Sequence, residues 1–399
     1  MRHVPIAVSL LATCTSVALV AQSRYLPDSP GTWKPWAFRA YADDRRVFGA
    51  GPAAVKEVEA QLLRLNAIIK KTPGITNPIG FSVETSGDLG LGNEGLSVRA
   101  GEPAFTARPF PSSMGFGAFP VMEYGSGATA KRDDTGETPH LYFSVNDLWQ
   151  PLTSFPGNRV PEFEKLDAAV VRLAPPQPDL LGFQRYGNAL VIKKSAAPIW
   201  AAVPFAEALD LVARAIELRL VDERSAAGRI QAVYDEMTSS AKRDQIITLQ
   251  KAEAAKSKDP AYLDKAIARM DRETASLLPQ IAAAKAVAAK TEQELASVKA
   301  TAEGLSAADK AAPACYASGD KVSTSRFRRA PSPGCDPLVR ANWKLFNPAL
   351  PRTAPQILTI SDFPQCLSAE SQAPHVGGCR AAMRLLESID KAALLAWLQ

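Results

Sequence analysis

Residues 263–305, LDKAIARMDRETASLLPQIAAAKAVAAKTEQELASVKATAEGL, decide the architecture. Steps of four and three residues alternate through Leu263, Ile267, Met270, Thr274, Leu277, Ile281, Ala284, Ala288, Thr291, Leu295, Val298, Ala302 and Leu305. This is heptad spacing, which keeps one narrow stripe of a long helix against a partner helix. Only Thr274 and Thr291 interrupt its apolar character.

Upstream, Asp259-Pro260 supplies a cap and a first-turn proline, so the long helix starts there. Before it, helical composition runs from Phe205 almost without interruption to Lys258, weakened at Gly228. Phe205, Leu209, Val212 and Ile216 return its first turns to a body. Beyond them Ile230, Val233, Met237, Ala241 and Leu249 give a less regular stripe. The two arms predict an antiparallel helical hairpin with its tip near residues 257–259. At a rise of 1.5 Å per residue the second arm is about 65 Å long. Alanines at 282–284, 286, 288 and 289 permit close backbone approach, Pro279 should kink the arm, and Gly304 should end it.

Strand-rich text lies on both sides. A helix beginning at Pro52 carries Val55, Val58, Leu62, Leu65 and Ile69 on one face and stops at Thr72-Pro73-Gly74. Short strands follow at 79–84, 96–99, 119–123 and 140–145, separated by glycine and proline. A helix is expected over 162–173 and a strand over 187–194. After the hairpin, 307–355 reads as a loop-rich return, with 340–346 a short helix or edge element. A buried strand over 356–360 and a final amphipathic helix over 380–398 complete the pattern. The expected fold is α+β: a mixed-sheet body with flanking helices and an inserted coiled-coil hairpin. Its divisions are 24–203 and 306–399 for the two parts of the body, and 204–305 for the hairpin.

The 399 residues are 46% apolar and 22% charged, the balance of a globular chain. A net charge of +5, without dense cationic clusters, argues against nucleic acid as a partner. Arg326, Arg328 and Arg329 read as a solvated loop.

The first 23 residues carry the features of a secretory signal peptide. Arg2 and His3 precede an apolar run from Val4 to Ala21, and Ala21-Gln22-Ser23 offers a small-x-small cleavage site. Pro5 and several Ser and Thr residues weaken the competing reading as a retained anchor, and Thr13 fits poorly before a lipidated Cys14. The mature chain is therefore expected to be exported, periplasmic or secreted, without a transmembrane segment. It keeps Cys315, Cys335, Cys366 and Cys379, which in an exported protein imply two disulfides. Pairing 315 with 335 and 366 with 379 closes two short Pro- and Gly-rich loops. Zinc is disfavoured because there is no C-x-x-C pair.

No catalytic, cofactor-binding or metal-binding residue is assigned. Tyr124-Gly125-Ser126-Gly127 has neither phosphate-loop nor nucleophile-elbow spacing. His140, with Ser126 or Ser144, offers only a general-base pair lacking any spacing that joins it. Asp133 and Asp134 lack the ordered oxygen ligands of a calcium loop. A hairpin inserted between strand-rich halves resembles the periplasmic adaptor proteins of efflux and secretion systems. The resemblance covers the hairpin alone, about a quarter of the chain, and the paired lipoyl-like segments at its base are not identified. The function expected is a non-enzymatic envelope protein using the hairpin for assembly or partner binding. The alternative is a secreted hydrolase with a site in the loops of 87–138.

Overall fold

The computed structural model describes residues 23–90, 102–125, 130–134, 140–154, 157–173, 175, 177–317, 324–367 and 377–399. Residues 1–22 of the expected signal segment, the strand over 96–99 and Ser126 lie outside these residues.

The chain begins with strands β1 (Ser23–Tyr25) and β2 (Ala37–Ala40), then helices α1 (Ala42–Val47) and α2 (Pro52–Lys70). Strands β3 (Phe81–Leu89), β4 (Ser112–Pro120), β5 (Met122–Tyr124), β6 (Lys131–Asp133) and β7 (His140–Val145) follow. Helix α3 (Trp149–Thr153) leads to β8 (Val171–Arg172), β9 (Gln184–Tyr186), β10 (Ala189–Lys193) and β11 (Trp200–Ala202). The long helices are α4 (Phe205–Thr238), α5 (Ser240–Ala254) and α6 (Tyr262–Glu303). The return comprises α7 (Ala307–Ala311), β12 (Ala314–Ala317), β13 (Phe327–Arg329), β14 (Cys335–Ala341), β15 (Ile357–Ser361), α8 (Gly377–Ser388) and α9 (Lys391–Trp397).

The main sheet has seven strands in the order β2-β3-β4-β7-β15-β10-β9. It is antiparallel except for the β2–β3 pair. Strands from before and after the hairpin thus share one sheet, with β15 between β7 and β10. Alternation gives each strand two different sides. Val83, Met114, Phe116, Leu141, Phe143, Leu358, Ile360 and Leu190 are wholly buried beneath α2, α8 and α9. Leu62, Leu65 and Ile69 of α2 are also wholly buried, each contributing about 1.5–3 kcal/mol by leaving water. Gly87 lies on this packed side, where an added Cβ would come within 2.7 Å of the Trp36 ring.

Trp149, Leu152, Val191, Ile199, Val339, Phe346 and Ile357 join this sheet to a second, five-stranded sheet. There β14 pairs with β8, β11 and β12, and β13 lies outside β12. The described residues of the return, 307–317 and 324–355, hold more strand than their loop-rich composition suggests, because these short strands depend on distant pairing partners. Cys315 bonds Cys335 within this sheet, and Cys366 bonds Cys379 at the start of α8. The two disulfides are compatible with an exported, non-cytoplasmic protein. Among the described residues no helix is long and apolar enough to cross a membrane.

Three local expectations differ from the structure. The helix expected over 162–173 is only a 3-10 segment, Pro161–Leu166, because Asp167 adopts a left-handed backbone (φ 49°) and the chain then enters β8. The final helix divides where the Asp390 carboxylate caps Ala393 N–H at 2.9 Å. The first hairpin arm breaks at Ser239, whose backbone is extended. Its hydroxyl donates to Glu236 O at 2.7 Å and accepts weakly from Lys242 N–H at 3.4 Å. Side-chain bonding to the backbone thus replaces one helical turn. By contrast α6 runs continuously through Pro279.

Candidate functional site

The hairpin is rooted by an apolar cluster. Phe205, Ala208, Leu209, Val212 and Ile216 of α4 pack with Val298 of α6 against Phe163, Tyr316, Phe327 and Leu338 of the body. At this root Tyr316 Oη donates to a Glu162 carboxylate oxygen at 3.0 Å and accepts from Arg326 Nη1 at 2.7 Å. Burial is the main cause that raises the Tyr316 phenol above its ordinary value. A cleft of about 250 Å³ beside the root is lined by Pro161, Lys165, Ile216, Arg219, Glu294 and Phe327 among others.

Further out, polar pairs join the arms in antiparallel order. Lys299 Nζ meets Glu217 at 2.7 Å, and Arg219 pairs with Glu294. Arg224 meets Glu292 at 2.6 Å, Lys285 donates to Gln231 at 3.0 Å, and Arg243 meets Asp271 at 2.8 Å. Numbers rise along one arm as they fall along the other, so these contacts define one register. Exposed ion pairs contribute only about 0–1 kcal/mol each, so they select the alignment more than they hold it.

The stripe positions are the inward side of α6. Met270, Thr274, Ile281, Ala288, Thr291 and Val298 are buried, and the other stripe residues are half-buried. Both threonines lie inside the pairing surface. The Arg243–Asp271 contact puts Thr274 near the level of the α4–α5 break, and its hydroxyl has no hydrogen-bond partner among the described residues.

The outer end is different. Helix α5 has no buried residue. Met237, Ile246, Ile247, Ile267 and Met270 border a cavity of about 110 Å³ between α4, α5 and α6. Leu249, also on α5, is 59% exposed. The tip therefore offers an apolar surface that its own three helices cover incompletely.

Of the residues that the sequence offers for catalysis, two lie on one described strand. His140 and Ser144 both belong to β7 and stand four residues apart along an extended strand, about 13 Å. Ser126 and much of 87–138 lie outside the described residues. Among the described residues no group of three His, Cys, Asp or Glu is arranged to hold a metal. Sequence reasoning does not find the polar side of the main sheet. Asp88, Ser113, Ser144 and Ser361 come from four strands whose pairing no local motif announces.

No protein family, curated protein or solved structure matches the chain.

Proposed function

We propose that this is an exported, non-enzymatic envelope protein, periplasmic or secreted, whose α+β body presents the helical hairpin for assembly or partner binding. The observation that carries this reading is the incompletely covered outer end, where α5 has no buried residue and Leu249 is exposed on the same helix as the half-buried Ile246 and Ile247. A hairpin serving only as a strut would bury its apolar residues between its arms. Here apolar side chains stay exposed along the hairpin, Leu218 and Val221 nearer the root and Leu249 toward the outer end, where a partner helix or loop could cover them. The disulfides and the signal-like first residues support the exported location.

The test is crosslinking from a photoreactive residue at the exposed position 252 in the native envelope, followed by co-purification of the full chain. I246E/L249E is expected to abolish the crosslinked complex while thermal melting shows the body still folded, because both positions lie on α5, outside the body's core clusters. A second variant shortens the hairpin between Arg224 and Glu292, keeping the Arg219–Glu294 pair and Val298 at the root. Association unchanged in both variants would overturn the binding role.

A further inference from the structure

The side of the main sheet opposite α2, α8 and α9 packs on the second sheet at Val191 and Ile357 and, beside that contact, forms a cleft of about 540 Å³, within the range of small-molecule sites. Its rim and floor include Asp44, Asp88 and Asp362, Tyr41 and Tyr142, and Ser361. The strand pairing explains the convergence. Asp88 lies opposite Ser113, Ser113 opposite Ser144, and Ser361 opposite Tyr142, so their side chains share one side of the sheet. Gly115, between Ser86 and Tyr142, leaves the middle of this surface low.

The charge is locally negative although the chain carries +5 overall. Asp147, also at the cleft, is engaged in accepting from Trp149 N–H at 2.8 Å. Among the described residues the lining holds one cation, Arg39, which donates to Asp88 at 2.9 Å and lies 5.8 Å from the Tyr41 ring. A cation is thus already held here by a carboxylate and an aromatic face, the two groups that attract ammonium ions. An independent feature points to a ligand. Ser361 is only 2% exposed, borders the cleft, and its hydroxyl has no hydrogen-bond partner among the described residues. Buried hydroxyls are seldom left unpaired, and an N–H donor would complete this one.

We propose that the cleft binds a small organic cation carrying primary ammonium groups. The carboxylates of Asp44 and Asp362 supply its counter-charge, the Ser361 hydroxyl accepts a hydrogen bond, and Tyr142 offers an aromatic wall. Burial, and then the charges of Asp43 and Asp88, raise the Asp44 carboxyl above its ordinary value, so a bound cation would relieve a repulsion the fold already contains. This inference is independent of the hairpin reading.

The full chain is titrated calorimetrically with 1,5-diaminopentane, 1,5-pentanediol, glutarate and calcium chloride at one ionic strength. Saturable binding of the diamine alone is expected. Affinity should fall about tenfold in D44N/D362N, from loss of two nearby charges, and should fall also in S361A. Thermal melting checks that each variant folds, and D44N alone provides the comparison if the double variant does not. I246E/L249E should bind the diamine like the unaltered chain. Equal diamine affinity in the folded cleft variants, preference for the diol or glutarate, or calcium binding without diamine binding would each overturn the assignment.

Discussion

Asp44 and Gly90 meet at the rim of the sheet cleft so closely that a Cβ built on Gly90 would lie 1.9 Å from Asp44 Oδ2. Gly90 also has φ +138°, a conformation that side chains rarely adopt. Gly90→Ala should therefore lose about 1–3 kcal/mol of stability, through strain and displacement of the Asp44 carboxylate. Chemical denaturation of the two proteins measures the difference.

The same carboxylate predicts a pH-dependent gain. Burial is the largest cause that raises the Asp44 carboxyl, followed by repulsion from Asp43 and Asp88, the latter itself paired with Arg39. The folded state therefore holds the proton more tightly than the unfolded state. Stability from this residue is fullest below the unfolded value and is lost as pH rises through the folded one. Asp44→Asn should be more stable than the unaltered chain at neutral pH, and the advantage should vanish in acid. Thermal melts across that window test the sign; an advantage that grew in acid would contradict it.

Thr274 is 8% exposed, and its hydroxyl is buried without a hydrogen-bond partner among the described residues. Thr274→Val keeps the shape and removes the unsatisfied group, so stability should rise by about 0.5–1.5 kcal/mol. Thr274→Asp should open the outer half of the hairpin, because it buries a carboxylate in the pairing surface between the arms. Hydrogen exchange along α6 would show protection lost around residue 274 and kept around Val298.

Cys366 and Cys379 are both buried in the main core and tie the 3-10 segment after β15, Phe363–Cys366, to α8. Replacing both by serine should cost about 2–4 kcal/mol. The four bonded cysteines should also resist thiol reagents until denaturant and reductant are both present. Urea melts and thiol counting check the two statements separately.

Much of the helical architecture is legible in the sequence because its signals are local. The alternation at Met270, Thr274, Ile281, Ala288, Thr291 and Val298 identifies the inward side of α6, and these residues are buried. The apolar positions Val58, Leu62, Leu65 and Ile69 likewise mark the packed side of α2. The break at Ser239 is hidden because flanking composition stays helical, while the decisive event is a hydroxyl competing for backbone groups. Strands β12 to β14 are hidden for another reason: short strands gain stability from neighbours far away in sequence, not from their own composition.

The cleft shows that division most clearly. By itself the sequence determined a long striped helix, two strand-rich flanks and a cysteine set suited to oxidation, since each depends on periodicity or residue type. Tertiary structure alone decided that Asp44, Asp88 and Ser361 share one concavity. Sheet register brings β15 beside β7, side-chain alternation turns Asp88 and Ser361 away from the helix-packed core, and α1 brings Asp44 to the same rim.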